Sequence, residues 1–408
     1  MSEQINIVLL PATNWVHSHL IPLFVLNQRY LNRMKDVVSY FVLPEKLHQS
    51  YNELGINVLP TDFKDHDNIA EILFQPKIAQ GVLDDMLYSL LQSTSNINPD
   101  IIIDDGEPLS TFIAKERGVP RISIHRTGYF RSIDPELRNP NHMHSMEKSI
   151  YGKTWDASFL LNPLRFKEQI GYNQSSAHVK EMTNYLSVKT KLIPGIASIE
   201  RLPDDINDRH SYFYTGPLLA KDNPSEKLMN ELDFFWNVNK NRKIVFITTG
   251  LVDQDNILDV ILYLLINQYA VISTRDFEIC KRYDMQFKYI PFAPLNHICS
   301  KVNLIIHQCG SGIYHYPLLH HKPVITLGTQ CYDREDVALR LQQLEVSRHV
   351  PSPNDDNNYL KKFAELLRLF EDDKLCNYKE LKRLREEIFR TMLDFDAEKM
   401  IKFTLNEN

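Results

Sequence analysis

The chain has 408 residues, too many for one ordinary core and a natural length for two domains of common size. Apolar residues make up 43% and charged residues 24%, the balance of a soluble globular protein. The formal charge of −6 is interspersed along the chain, with no basic tract or arm, so nucleic acid is excluded as an expected partner.

The first residues, MSEQINIVLLPATNW, lack the charged start and small-residue cleavage site of a signal peptide. No stretch of 18 apolar residues follows, so no membrane span is expected. Residues 5–10 form a short apolar run ending at Pro11, which predicts a buried parallel strand. Leu23, Leu26, Tyr30 and Met34 then recur at spacings of three and four, one face of a helix. Further strands are expected at 37–42, 56–59 and 101–103, the last running into Asp104-Asp105-Gly106. A helix to Arg117, the turn Gly118-Val119-Pro120 and a strand at 121–125 complete an alternation that predicts a parallel sheet with helices on both faces. From Gly128 to about Val188 the periodicity lapses; this segment reads either as a pocket wall or lid, or as a plain surface excursion.

Thr215-Gly216-Pro217-Leu218 and the polar stretch 221–227 mark a domain boundary. The pattern then restarts. A strand at 243–248 ends near Gly250, a helix follows at 257–267, and a strand at 270–273. Residues 302–306 form a strand that runs straight into His307-Gln308-Cys309-Gly310-Ser311-Gly312, and 323–327 form another. From Asn358 onward the chain reads as charged amphipathic helices. The expected fold class is therefore α/β, with two doubly wound halves at 1–220 and 221–385. A helical segment at 386–408 is expected to pack back on the first half. The five cysteines all lie in the second half, odd in number and without CxxC spacing, which indicates neither a disulfide framework nor a zinc site. A reducing cytoplasm is the expected compartment.

Open parallel sheets bind ligands beyond the carboxyl ends of their strands, and three segments with suitable chemistry fall there. The loop 307–312 joins a strand to a helix through small residues, exposing backbone N–H groups that suit a diphosphate; the same glycines also make tight turns without a ligand. His17 and His19 follow the first strand, where an imidazole can take a proton from a hydroxyl, or can merely cap the helix. Asp104 and Asp105 follow the fourth strand. A carboxylate there can orient an imidazole and stabilise its cation, or can cap the next turn. His142 and His144 lack an evident third ligand for a metal.

These segments also follow one another in a known order. His19-Leu20-Ile21-Pro22 is similar to G-H-x-x-P after a first strand, and 99–105 with Gly118-Val119-Pro120 to P-D-hydrophobic-D … G-I-P. Glu200-Arg201-Leu202-Pro203 and Thr215-Gly216-Pro217-Leu218 come next, then 246–250 and 289–295. His307 to Pro323 has the spacing of H-x-G-G-x-G-T … G-V-P, with Asp333 beyond it. In all of these the chain resembles the UDP-glycosyltransferase superfamily, family 1 of the glycosyltransferases, of bacterial natural-product type.

The resemblance implies the GT-B architecture, two Rossmann-like domains facing each other across a cleft, the first for the acceptor and the second for the nucleotide-sugar. It implies that His19 is the general base and that Asp105, or Asp104 one residue off in register, orients it. Gly250, Phe292, His307, Gly310, Ser311, Gly312 and Asp333 would bind the donor: His307 and the loop its diphosphate, Asp333 its sugar hydroxyls, Phe292 its base. The implied partners are a UDP- or dTDP-linked sugar as co-substrate and a small-molecule acceptor, with no metal or other cofactor, in a monomer or homodimer. Transfer would invert the anomeric carbon, with a helix N-terminus and His307 neutralising the leaving diphosphate. Departures fall in the second half: Leu251, Cys309 and His321 for a Ser or Thr and two glycines, Ile313 for a Thr, Tyr316 for a ribose-binding acid, Arg334 for a Gln; Ser18 replaces a Gly in the first. They favour an alternative, a catalytically degenerate GT-B protein acting as a binding or auxiliary subunit. A sugar-nucleotide epimerase on the same scaffold lacks a clear carboxylate set.

Overall fold

A computed structural model of the chain describes residues 4–12, 16–61, 80–107, 109–126, 147–148, 154–155, 188–202, 208–249, 255–329 and 332–406. The chain divides into two units, Met1–Arg131 with Ala157–Ala220 and Thr391–Asn408, and Ser132–Asp156 with Lys221–Arg390.

In the first unit the apolar runs become strands β1 (Ile5–Pro11), β2 (Val37–Pro44), β3 (Asn57–Thr61), β4 (Ile101–Asp105) and β5 (Arg121–Ile124), followed by β6 (Thr190–Ile193) and β7 (Tyr212–Tyr214). All pair in parallel, in the order β3-β2-β1-β4-β5-β6-β7. Helices α1 (Val16–Arg29), α2 (Glu45–Asn52), α3 (Gln80–Ser93) and α4 (Ser110–Arg117) connect them. Ile7 and Leu9 of β1, Ile101 and Ile103 of β4 and Ile122 of β5 share one core with Leu20, Leu23 and Leu26 of α1. That is why the strands read as continuous apolar runs: helices cover both faces of a parallel sheet.

Helix α1 ends at Arg29, short of Tyr30 and Met34, which the apolar spacing had included. A 3-10 turn, Leu31–Arg33, returns the chain toward β2. This frees Tyr30 to donate its hydroxyl to the Met392 carbonyl at 3.2 Å and to meet Phe395 edge-on at 4.7 Å. The terminal helix, Ala397–Asn406, buries Met400 and Ile401 in the same core as Ile7, and Thr404 donates to Thr190 Oγ1 at 3.0 Å.

The second unit repeats the plan. Strands β8 (Ile244–Thr248), β9 (Ala270–Ser273), β10 (Phe287–Tyr289), β11 (Leu304–His307), β12 (Val324–Leu327) and β13 (Ser347–Val350) pair in parallel, in the order β10-β9-β8-β11-β12-β13. Helices α5 (Glu226–Val238), α6 (Asp255–Ile266), α7 (Leu295–Lys301), α8 (His315–Leu319), α9 (Tyr332–Gln343), α10 (Tyr359–Glu371) and α11 (Tyr378–Asp394) surround it. Ser225 caps α5 by accepting the Leu228 N–H. Ile257, Ile261 and Leu264 of α6 pack on Val245, Ile247 and Ile306, and Phe363 and Leu367 of α10 close the same core.

Each sheet therefore begins third-second-first-fourth, so the winding direction reverses between its first and fourth strands. Such a switch point opens a crevice at the carboxyl ends of those strands. No helix among the described residues is long and apolar enough to cross a membrane.

Candidate functional site

The first switch point lies between β1 and β4, which pair Leu10 with Asp104 and Pro11 with Asp105. Successive strand residues face opposite ways, so the two acids separate. Asp104 takes hydrogen bonds from Arg121 Nη1 at 2.7 Å and Ser123 Oγ at 3.0 Å. Asp105 instead meets His19, with Nδ1 to Oδ1 at 2.7 Å. Of the two candidates, Asp105 is the partner. An ionised carboxylate only accepts, so Nδ1 carries a proton, and in the neutral ring the lone pair is on Nε2. The Asp105 side chain is fully buried, while His19 retains 15% exposure.

Arg126, two residues beyond β5, grips the same carboxylate with both ends of its fork: Nη1 on Oδ1, and Nη2 on Oδ2 at 2.5 Å. Burial opposes ionisation of Asp105, yet the Arg126 guanidinium and His19 together outweigh it and hold the carboxyl below its usual range. Gly106 completes the site. It has φ +73°, and a Cβ there would stand 2.8 Å from His19 Cε1 and 2.9 Å from Nδ1. The imidazole occupies space that only glycine leaves open.

The second switch point lies between β8 and β11, which pair Thr248 with His307. His307 is fully buried; its Nδ1 accepts the Cys309 N–H at 3.0 Å, which puts its own proton on Nε2. That Nε2 has no hydrogen-bond partner among the described residues. Burial pushes its pKa down to about 3, so the ring is neutral. In that state it can donate one hydrogen bond through Nε2. The following helix, α8, has only five residues, which leaves little macrodipole to add.

The backbone of this loop takes a glycine-like form at one position. Cys309 has φ +52°, the left-handed region that favours the glycine it replaces. His321, which also replaces a glycine, has φ +52° at the end of α8. Lys322 N–H bonds to Pro317 O at 2.9 Å and His321 N–H to Leu318 O at 3.4 Å, the paired bonds of a Schellman cap. Gly118 ends α4 with the same pair, to Ala114 and Lys115. At Gly310 and Gly312 a Cβ would meet nothing within 4 Å, so that side of the loop is open. Ile313 and Tyr316, by contrast, are buried.

The remaining expected donor residues are spread along the same unit. Phe292 follows β10 and is 80% exposed. Asp333 lies in the first turn of α9, its side chain outside the described residues, as are Gly250, Leu251, His142 and His144. A cavity of about 820 Å³, lined by Arg242, Lys243, Tyr269, Arg368 and Glu371, sits at the opposite edge of the sheet, where β8 and β9 begin. By the strand-end rule it is not the candidate site.

No family model matches the chain, and no curated protein matches its sequence. Solved structures do match. The glycotransferase of kitacinnamycin superposes with a TM-score of 0.63 at 16% identity, covering 99% of this chain and 100% of its own. Medicago truncatula UGT71G1, complexed with UDP-glucose, gives 0.68 at 11% identity over 99% and 97%. The spinosyn forosaminyltransferase SpnP gives 0.64 at 15% identity over 99% and 100%. The chain has their GT-B fold.

Sequence reasoning expected His19 beside an acid at 104–105, and the structure brings His19 to Asp105; it did not single out Arg126 or Gly106. Arg126 follows a strand end, a location that could have flagged it. It missed a second network as well. Glu335 Oε1 accepts the Thr329 N–H at 2.6 Å, Oε2 pairs with His349 Nε2 at 2.9 Å, and His349 Nδ1 meets Thr326 Oγ1 at 2.9 Å. This buried chain ties the start of α9, where Asp333 sits, to the ends of β12 and β13. Its members are far apart in sequence and carry no motif.

Proposed function

We propose that the protein is an inverting glycosyltransferase that moves a sugar from a UDP- or dTDP-linked donor to a hydroxyl of a small-molecule acceptor. The observation that carries this reading is the 2.7 Å bond from His19 Nδ1 to a buried Asp105 at a switch point, in a chain with the fold of solved glycosyltransferases. UGT71G1 was solved with UDP-glucose, which supports a uridine donor here.

The two halves divide the work. In the first, Asp105 fixes the His19 tautomer, and Nε2 accepts the acceptor hydroxyl proton as the oxygen attacks the anomeric carbon. The bond from that carbon to the diphosphate breaks, and its electron pair leaves with the nucleoside diphosphate. In the second, the loop at Gly310, Ser311 and Gly312 would turn backbone N–H groups to the phosphate oxygens, with open space beside both glycines; the His307 Nε2–H, buried and unpartnered among the described residues, would join them once uncovered. Asp333 would hold sugar hydroxyls and Phe292 the base. Preorganised N–H groups stabilise charge as it develops without moving at the moment of reaction.

A thermal-shift screen against UDP- and dTDP-sugars tests the donor half, since a ligand of the folded state raises its stability. Stabilisation by one class, followed by single-turnover transfer, is expected. Indifference to every nucleotide diphosphate would leave the auxiliary-subunit reading in its place.

A further inference from the structure

The carboxyl ends of the second sheet carry a row of polar residues. Register aligns Thr248, His307, Thr326 and His349 across β8, β11, β12 and β13, about 4.7–4.9 Å from strand to strand. His307 opens the loop 307–312. At the far end of the row Thr326 Oγ1 meets His349 Nδ1 at 2.9 Å, and His349 Nε2 reaches Glu335 Oε2 at 2.9 Å. Hydroxyl, imidazole and carboxylate in line resemble a nucleophilic set, but Thr326 is 0% exposed and cannot meet a substrate. The set can hold geometry and cannot attack.

What it holds is the turn after β12. The other oxygen of Glu335, Oε1, accepts the Thr329 N–H at 2.6 Å, and the Gly328 N–H bonds to Val350 O at 2.8 Å. A Cβ at Gly328 would stand 2.4 Å from Ser352 N, so the chain beyond β12 lies directly on the chain beyond β13. In the last turn of α9, Gln342 Oε1 accepts the His349 N–H at 3.0 Å. His349 is thus held by two turns of α9, and the buried Glu335 joins the turn, the helix and β13. Asp333 stands two residues before Glu335, in the first turn of the same helix.

We propose that Glu335 is a positioning residue for the donor sugar: it clamps the start of α9 to His349, fixes where Asp333 stands, and so supports binding of the sugar and not of the nucleoside diphosphate. This rests on the reading of Asp333 as the partner of the sugar hydroxyls. The loop read as the diphosphate site leaves from the neighbouring strand, β11, and has its own internal bond, from the Cys309 N–H to His307 Nδ1. Loss of the clamp therefore reaches the sugar side and spares the phosphate side.

Calorimetric titration of the full chain with UDP, dTDP and a panel of UDP- and dTDP-sugars tests this without turnover. In Glu335→Ala the Kd of a sugar nucleotide is expected to rise at least ~10-fold, about one lost hydrogen bond, while that of the matching diphosphate stays within about 2-fold. Glu335→Gln is expected to recover most of that loss. Its amide oxygen can accept the Thr329 N–H and its nitrogen can donate to His349 Nε2, with the ring proton on Nδ1. Equal weakening of sugar nucleotide and diphosphate in Glu335→Ala overturns the proposal, because damage to the fold alone would do that. So does normal binding of both. Either result leaves the donor reading standing, whereas binding of no sugar nucleotide by the unaltered chain overturns the two together. Amide exchange needs neither ligand nor variant: the Gly328 and Thr329 N–H groups, located by fragmentation mass spectrometry, are expected to exchange at least ~10²-fold slower than free peptide. Exchange at the free-peptide rate overturns the clamp, even where Glu335→Ala does not fold.

Discussion

The ring of His19 lies over Gly106, in the place where any other residue would carry its Cβ. Glycine here answers two demands at once, a left-handed backbone at φ +73° and the approach of an imidazole to within 2.8 Å of the missing atom. The residue after Asp105 thus decides whether His19 can reach Asp105.

Gly106→Ala is expected to displace the imidazole and strain the turn. A left-handed non-glycine residue costs about 1–3 kcal/mol. A base moved by an ångström loses roughly 10²-fold in rate. Urea unfolding and single-turnover transfer should move together; a variant with normal transfer would mean that the His19 position does not matter to the chemistry.

His19→Ala and Asp105→Asn separate chemistry from stability. The first should cut transfer by ~10²–10⁴-fold while leaving donor binding and unfolding near normal, since the ring is at the surface edge of the site. The second removes the buried charge that Arg126 and His19 both face, and breaking a buried pair typically costs about 3–5 kcal/mol. Comparison of the two by denaturant unfolding checks this, and equal stabilities would contradict it.

Stability should decline as pH falls below neutrality. Burial pushes His307 and His315 each from 6.5 down to about 3, so both stay neutral in the folded chain while the unfolded chain takes up their protons. Between pH 6.5 and 3 each such residue removes up to about 1.4 kcal/mol per pH unit. Neither ring nitrogen of His315 has a hydrogen-bond partner among the described residues, and the ring packs on Tyr314 at 4.0 Å. His315→Phe should therefore flatten the decline by one proton, read from urea midpoints between pH 7.5 and 4.5. An unchanged slope would count against a buried neutral imidazole.

His321→Gly is expected to stabilise. The left-handed conformation at φ +52° costs a histidine about 1–2 kcal/mol, and the added freedom of glycine in the unfolded chain returns about 0.5–1. A gain of roughly 0.5–1 kcal/mol should appear in the denaturant midpoint. Destabilisation would show that the 3.5 Å contact from Arg385 to the His321 ring matters more than the backbone.

Much of the architecture was legible in local pattern. The strand at Ala270–Ser273 falls where its apolar run stands, and most others differ by a residue or two at their ends. Continuous apolar runs separated by helical spacing can only be buried in a helix-covered parallel sheet, so periodicity alone carried the two doubly wound halves. The helix that stops at Arg29 was not legible, because the partner that draws Tyr30 away, at Met392 and Phe395, lies more than 350 residues along the chain.

At the site the division is sharper. Residue type and order along the chain put His19 and an acid from 104–105 in one candidate pair. The choice between Asp104 and Asp105 belongs to the pleat, which turns neighbouring side chains to opposite faces and pairs one with Arg121 and the other with His19. The third partner, Arg126, and the glycine under the ring came only from the folded chain. Hydrogen bonds and excluded volume act over a few ångströms in space, and the residues that share them here come from the first turn of one helix and the ends of two strands.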